Sequence, residues 1–262
     1  MTTGARYEVR GARRWLAALA LILACGTDDA PGPLQPSGPT GRVRLVNLIT
    51  DATRGRVNAS LEGLPFAVDL QYGQTSPATL PAPSTAFYAA VLAGNRAFVL
   101  KRTADTTVTV ATLNFTIADG EDRTVYAVGG AGGTAITGFV TTDQNPAAAA
   151  NQVRVRVVNM SPSRGPLDVF LTIPPSPTPS DLVTATPTFA NLGYQNASAY
   201  ITLPAGAAQF RAVPAGTSPA NRPANLLINT GGTNVGGTGR TFVVIDNDLG
   251  GAPLRLIVLS DR

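Results

Sequence analysis

The chain has 262 residues, of which 44% are hydrophobic and 14% charged, so it holds enough apolar side chains for two cores. Its net charge is +4, but four arginines and one glutamate precede Cys25, and without them 20 basic groups become 16 and 16 acidic groups become 15, a net charge of +1. With no histidine, one cysteine and no basic patch, the composition argues against nucleic-acid binding and against catalysis or zinc binding by histidine and cysteine.

Residues 1–24 have the pattern of a bacterial lipoprotein signal peptide. A polar, arginine-rich stretch precedes the apolar run Trp15–Ala24, and Cys25 follows directly. This run is too short for a spanning helix, which needs about 20 residues, but it suits the apolar part of a signal peptide. Ile22–Cys25 resembles the lipobox, in which the cysteine thiol is diacylglycerated before cleavage. We therefore expect lipid on Cys25; the alternatives are an ordinary signal peptide with an incidental cysteine, or a short buried helix.

Residues 25–41 are predicted to form a flexible tether between the lipid and the folded part. Gly26–Thr40 is rich in proline, glycine and aspartate and cannot bury a core. Because Gly26 stands where many inner-membrane lipoproteins have aspartate, we expect an exported protein anchored at the outer membrane or cell surface in a double-membraned host.

The remaining sequence divides into two related halves. Arg42–Asn47 (RVRLVN) is almost repeated by Arg154–Asn159 (RVRVVN), and a tyrosine follows each asparagine after 41 residues (88 − 47 and 200 − 159). Further equivalent positions, including the acids that close the two halves, are Tyr88 and Tyr200, Phe98 and Phe210, and Asp143 and Asp261. The repeat indicates a duplication. We place domain 1 at 42–143, a linker at 144–152 and domain 2 at 153–262.

Short runs with period-two alternation predict strands in both halves. After an opening strand in each half, they lie at 66–70, 86–92, 96–101, 107–117, 123–128 and 135–141, and at 167–172, 188–192, 198–203, 208–213, 225–229, 240–246 and 253–259. No segment after residue 40 has sustained helical periodicity. The predicted fold class is all-β, with two tandem antiparallel β-sandwich domains of immunoglobulin-like kind.

The second half resembles a known family. Val155–Pro162 (VRVVNMSP), Leu167–Phe170 (LDVF), Gly193-Tyr194 and Leu203–Gly206 (LPAG) are similar to motifs of the bacterial envelope family called domain of unknown function 4397. The first half keeps only part of these motifs, so the second copy is expected to be the clearer match. The resemblance implies β-domains on exported, often lipidated proteins. It implies no catalytic residues.

Aspartates are the remaining candidates for chemistry. Asp168, Asp246 and Asp248 could serve a carboxylate-based hydrolase, but the sequence does not place two of them together. Asp246-Asn247-Asp248 begins like a calcium loop, yet position 12 is Ile257, so a turn is the favoured interpretation. We predict no catalytic, cofactor-binding or metal-binding residue, and no cofactor.

Three other features favour structure over function. Gly231–Gly239 lacks the ending of a phosphate loop and is predicted to be a long flexible loop. The paired tyrosines and phenylalanines suit core packing better than ligand stacking. Arg44 and Arg156 alternate with valines and are predicted to lie on a solvated strand face; pairing with a nearby acid and contact with an anionic polymer are the alternatives.

The sequence thus predicts a non-enzymatic, membrane-anchored envelope lipoprotein that acts as a scaffold, adhesion or protein-interaction module. A carbohydrate or cell-wall binding module is the alternative, although the only tryptophan, Trp15, lies in the signal peptide. A carboxylate-based hydrolase is a third hypothesis. The expected partners are the membrane, through the N-terminal lipid, and an envelope protein or polysaccharide, with no nucleic acid.

Overall fold

The computed structural model describes residues 38–77, 88–143, 148–176, 178–235, 239–247, 251 and 253–261, and residues 38–262 belong to one compact unit. The predicted signal peptide, Cys25 and most of the predicted tether lie outside the described residues. Within the described residues, no helix is long and apolar enough to cross a membrane.

The described residues are mostly β-structure arranged in two similar lobes, which we call the N-lobe (Thr40–Asp143) and the C-lobe (Gln152–Asp261). The strands of the N-lobe are β1 (Thr40–Ile49), β2 (Val57–Leu61), β3 (Leu64–Leu70), β4 (Thr75–Ser76), β5 (Ala89–Leu92), β6 (Gly94–Arg102), β7 (Asp105–Ile117), β8 (Asp122–Gly129) and β9 (Ile136–Asp143). The strands of the C-lobe are β10 (Gln152–Asn159), β11 (Leu167–Thr172), β12 (Phe189–Leu192), β13 (Asn196–Ala197), β14 (Ile201–Pro204), β15 (Gly206–Pro214), β16 (Ile228–Asn229), β17 (Thr233–Val235), β18 (Gly239–Ile245) and β19 (Arg255–Ser260). Short 3-10 helices are found at Ala131–Gly133, Pro179–Val183 and Pro219–Asn225.

Each lobe packs two sheets around its own core. In the N-lobe the order β4-β1-β8-β9, with β5 beside β1, faces the order β3-β2-β6-β7. In the C-lobe β13-β10-β18-β19, with β14 beside β10, faces β12-β11-β15-β16, with β17 beside β15. Separate apolar cores, centred on Phe98 in the N-lobe and Phe210 in the C-lobe, lie between the sheets.

The prediction of purely antiparallel sheets is wrong at the centre of each lobe. β1 pairs with β8 in parallel, and β10 pairs with β18 in parallel, whereas every other described pairing is antiparallel. Parallel strands are usually covered on both faces, and these four strands are. The immunoglobulin-like arrangement stays a prediction.

Most predicted strands are present with shifted ends, and 167–172 has the predicted bounds. The short strands β2, β4, β13 and β17 were not predicted. The region 225–229 begins in a 3-10 helix and is a strand only at Ile228–Asn229. The predicted loop Gly231–Gly239 contains β17, which pairs with β15, so its description as one long flexible loop is wrong.

The equal tyrosine spacing results from two compensating insertions. Thr75 pairs with β1 at the position equivalent to that at which Ala197 pairs with β10. Thr75 follows Asn47 after 28 residues (75 − 47), whereas Ala197 follows Asn159 after 38 residues (197 − 159). The tyrosines then follow after 13 and 3 residues (88 − 75 and 200 − 197). The C-lobe is therefore longer mostly between β11 and β12, and the N-lobe is longer between β4 and β5.

Candidate functional site

The two lobes meet through the outer faces of their parallel strand pairs. Val46 and Leu48 from β1 and Tyr126 from β8 pack against residues of the other lobe that include Val158 and Val243. The alternation of β1 and β10 therefore points one set of side chains into the lobe's own core and the other set into this shared core. The contact buries the central parallel strands of both sheets on their second face.

A cluster of charged and hydroxyl side chains lies buried beside this shared core. Arg44 from β1 donates from Nε to Thr124 Oγ1 at 2.8 Å and from Nη1 to the Ser260 carbonyl at 2.8 Å. Its Nη2 donates to Asp261 Oδ1 at 2.6 Å and lies 3.5 Å from Asp143 Oδ2. The shorter of its two carboxylate contacts is thus to the other lobe.

Arg156 from β10 makes the equivalent contacts, which run from the C-lobe to the N-lobe. Its Nε donates to Thr241 Oγ1 at 2.9 Å, and its Nη1 donates to the Thr142 carbonyl at 2.9 Å. Its Nη2 donates to Asp143 Oδ1 and, at 3.1 Å, to Thr141 Oγ1. Each lobe therefore gives an arginine to the other lobe's closing aspartate, as in a dimer with twofold symmetry.

Two tyrosines complete the cluster and connect the aspartates. The Tyr88 hydroxyl donates to Asp143 Oδ2 at 2.7 Å and lies 3.2 Å from Asp261 Oδ1. The Tyr200 hydroxyl donates to Asp261 Oδ2 at 3.0 Å and lies 3.4 Å from Thr241 Oγ1. The guanidinium carbons of the two arginines stand 4.6 and 4.7 Å from the tyrosine ring centroids, within the range of cation–π contact.

The electrostatics of the cluster are balanced, because two arginines face two aspartates. Burial lowers the pKa of Arg44, but Tyr88, Asp261 and Asp143 outweigh this and raise it above the ordinary value. Burial also raises the pKa of the Tyr88 and Tyr200 hydroxyls, so both stay neutral donors.

The predicted solvated position of Arg44 and Arg156 is therefore wrong. The two residues are only 2% and 3% exposed, because the other lobe covers the sheet face on which they lie. Pairing with an acid was the alternative that the sequence left open. The acids that form these pairs, Asp143 and Asp261, were recognised in the sequence only as the acids that close each half. The partner threonines, Thr124 and Thr241, stand in the matching pairs Arg123-Thr124 and Arg240-Thr241 that belong to the repeat, but this pattern predicts no role for them in a cluster.

The aromatic residues singled out from the sequence lie inside the protein. Phe98 and Phe210 are fully buried in their lobe cores, and Tyr88 is 8% exposed. Tyr126 is fully buried in the shared core, burial raises its pKa to about 12, and its hydroxyl has no hydrogen-bond partner among the described atoms. The position equivalent to Tyr126 in the C-lobe is Val243, so the shared core is not fully symmetric.

The two candidate aspartates that the structure describes, Asp168 and Asp246, hold loops through separate hydrogen-bond partners. Asp168 accepts from the backbone N–H of Asn191 at 2.9 Å. Asp246 accepts from the hydroxyl of Ser163 at 2.8 Å and the N–H of Gly251 at 2.9 Å. Asp248 lies outside the described residues. Among the described side chains, no group of three or more Asp, Glu, His or Cys could hold a metal ion.

Comparison with known protein families finds a match to one family of unknown function. Residues 41–170 match the family model described as Domain of unknown function (DUF4397). The match covers almost the whole N-lobe and ends in β11, whereas the motifs predict the clearer copy in the second half. The similar sheet order of the C-lobe suggests that it is a second copy. No curated protein matches the chain.

Two solved structures show weak likeness. One is described as alpha-glucan recognition by family 41 carbohydrate-binding modules from streptococcal virulence factors; it is 13% identical, with a TM-score of 0.24 over 81% of this chain and 96% of that chain. The other is a leucine-rich repeat protein from Bacteroides thetaiotaomicron, 12% identical, with a TM-score of 0.19 over 79% of this chain and 25% of that chain. Both TM-scores are too low to carry an argument.

Proposed function

We propose that this chain is a non-enzymatic, membrane-anchored envelope lipoprotein whose two lobes act together as one rigid interaction module. One observation carries the proposal: two arginines and two aspartates exchange ion pairs between the lobes and are buried there. Its arginines, aspartates and tyrosines are engaged with one another, so they hold the lobes in a fixed relation.

A fixed relation between two lobes suits binding better than turnover. A partner that contacts both lobes finds its surfaces already placed, and this saves the entropy of ordering them on association. The reciprocal arginine–aspartate contacts also fix the register of one lobe on the other, since a shifted register would leave buried charges unpaired.

Anchorage is part of the proposal and depends on Cys25. Lipid on this cysteine followed by a tether would hold the module at the outer membrane or cell surface. The Cys25→Ser variant of the full chain should lose the lipid and move from the membrane fraction to the soluble fraction, as measured by fractionation and intact mass. Retention of the variant in the membrane fraction would show that the anchor is misassigned.

The partner is tested with purified Cys25→Ser protein as bait in native envelope extract. We expect a defined protein to be recovered, and to be lost when the bait also carries Arg44→Met, which should disturb the lobe arrangement. Recovery of polysaccharide instead would favour the carbohydrate or cell-wall binding alternative. Turnover of an envelope substrate that Asp168→Asn or Asp246→Asn abolishes would contradict the non-enzymatic proposal.

A further inference from the structure

Two clefts flank the shared core at equivalent positions. The first, about 600 Å³, lies where the outer edge of β19 meets β3 and β4 of the N-lobe, and Arg44 lines it. The second, about 440 Å³, lies where β9 meets β13 of the C-lobe, and Arg156 lines it. Because β19 corresponds to β9 and β4 to β13, the two clefts are related by the same approximate twofold symmetry as the arginines.

The lining of the clefts breaks this symmetry. The first cleft has an apolar wall on β3 and β19, formed by Phe66, Val68, Leu70, Ile257, Val258 and Leu259, beside polar side chains that include Gln74, Thr75 and Ser76. The second is lined mostly by polar side chains, namely Thr141, Thr142, Gln195, Asn196, Ser198 and Tyr200. Val68 is 78% exposed and Val258 37% exposed, so the first cleft presents apolar surface to solvent. The two equivalent clefts thus differ in character, the first being the more apolar.

Among the described residues, the outer edge of β19 beside the first cleft pairs with no strand. β19 is the last strand of its sheet among the described residues. The Asp261 N–H donates inward to the Gly239 carbonyl, whereas the Ser260 carbonyl accepts from Arg44 on the outer side. Since the direction alternates along an antiparallel strand, the backbone groups of Val258 and Leu256 also face outward. Open edges of this kind accept an added strand.

We infer that the first cleft binds an extended peptide segment of a partner protein, which adds to β19 as a further strand. The backbone of Val258 supplies hydrogen bonds, and alternate apolar side chains of the peptide enter the wall formed by Phe66, Val68 and Ile257. The cleft is continuous with the lobe interface, because Ile257 and Leu259 belong to both. This inference rests on the proposed function and names the chemistry of the partner.

The test uses a phage-displayed library of random linear peptides, selected on the full chain carrying Cys25→Ser. We expect enrichment of peptides with alternating apolar residues, whose affinity is then measured by fluorescence anisotropy. Val258→Pro removes the outward N–H while leaving the inward ladder to β18 intact, since an edge strand tolerates proline at such a position. It should weaken binding at least about tenfold, which is about 1.4 kcal/mol.

The apolar wall is tested by a matched pair of variants on β3. Val68→Glu places a charge in the cleft and should weaken peptide binding by a similar factor. Leu64→Glu is the control, because Leu64 is 71% exposed on the same strand but does not line the cleft, so its affinity should be unchanged. Circular dichroism checks that each variant is folded.

Failure to enrich any peptide, or equal affinity for Val258→Pro and the parent protein, would overturn the cleft assignment. Two further outcomes distinguish failure of the cleft assignment from failure of the proposed function. If envelope extract yields a defined partner whose capture is unaffected by Val68→Glu, the module proposal stands and the cleft is not its site. If selected peptides bind the cleft but the extract yields no protein, the cleft assignment stands and the module proposal does not.

Discussion

The N-lobe and the C-lobe share their sheet order but differ on the faces that point away from each other. In the C-lobe, the 3-10 helices Pro179–Val183 and Pro219–Asn225 cover the outer face, where Leu182 packs on Phe170 and Val213. Arg211 beneath them is buried and pairs with Asp181 through both carboxylate oxygens, at 2.5 and 2.7 Å. This cover adds a small second core to the C-lobe.

The N-lobe has no such cover among its described residues, and its sequence differs accordingly. Strand pairing places Ser60 where the C-lobe has Phe170, and Lys101 where it has Val213. Lys101 is exposed and Ser60 is partly buried. The faces turned toward the other lobe, by contrast, keep their arginine, threonine, tyrosine and aspartate. The two lobes are therefore most alike where they contact each other and least alike on their outer faces.

The largest expected effect on stability comes from removing an arginine of the buried cluster that the two lobes share. Arg44→Met leaves Asp261 and Asp143 buried with one guanidinium instead of two and should lower the free energy of unfolding by about 3–5 kcal/mol. Arg156→Met should cost a similar amount, because it makes the equivalent contacts. Urea denaturation followed by circular dichroism measures both. A loss below about 1 kcal/mol for either variant would contradict the account.

A smaller loss of stability is expected from a variant on the outer face of the C-lobe, where the two lobes differ. Arg211→Met removes the donors to Asp181 and Thr172 and should cost about 1–3 kcal/mol. Hydrogen exchange should rise in the two 3-10 segments of the C-lobe while the N-lobe is unchanged. Arg96→Met on the equivalent strand β6 is the control. Its pair with Glu62 is half exposed on the acid side, so its loss should cost under about 1 kcal/mol.

The smallest effect concerns alkaline pH. Burial raises the pKa of the Tyr88 and Tyr200 hydroxyls, so the folded state keeps protons that the unfolded chain loses above about pH 10. Their contribution to stability is complete below that pH and should decline above it, by on the order of 1 kcal/mol per tyrosine per pH unit. Urea denaturation between about pH 9 and pH 11 should show a shallower decline for Tyr88→Phe; an equal slope would refute this origin.

The sequence predicted most strands and the two similar lobes because both depend on local pattern. Period-two alternation located Arg44 and Arg156 on the face opposite the valines, and that placement is correct. What faces that side is a property of the other lobe, which alternation does not encode, whether the partner is distant, as Asp261 is from Arg44, or lies just across the linker, as Asp143 does from Arg156. The apolar runs Val125–Val128 and Phe242–Ile245 carried the missing information, since strands that are apolar on both faces are buried on both.

The equal spacing of motifs in the two halves identified equivalent residues but not the insertions between them. The motifs around Asn47 and Asn159 mark equivalent strands, and Tyr88 and Tyr200 occupy equivalent places over the arginines. The equal interval between them hides insertions at different positions, which only the strand pairing separates. The parallel pairing of β1 with β8 was missed for a similar reason, because it joins segments far apart in the sequence.

The central claim is that the lobes are locked by arginine–aspartate contacts exchanged between them. A double-mutant cycle tests it most directly, with Arg44→Met and Asp261→Asn singly and together, measured by urea denaturation. The account predicts a coupling energy of about 2 kcal/mol or more across the lobes. It also predicts a smaller coupling between Arg44 and Asp143, which lie 3.5 Å apart within the N-lobe. A cross-lobe coupling near zero would contradict the account.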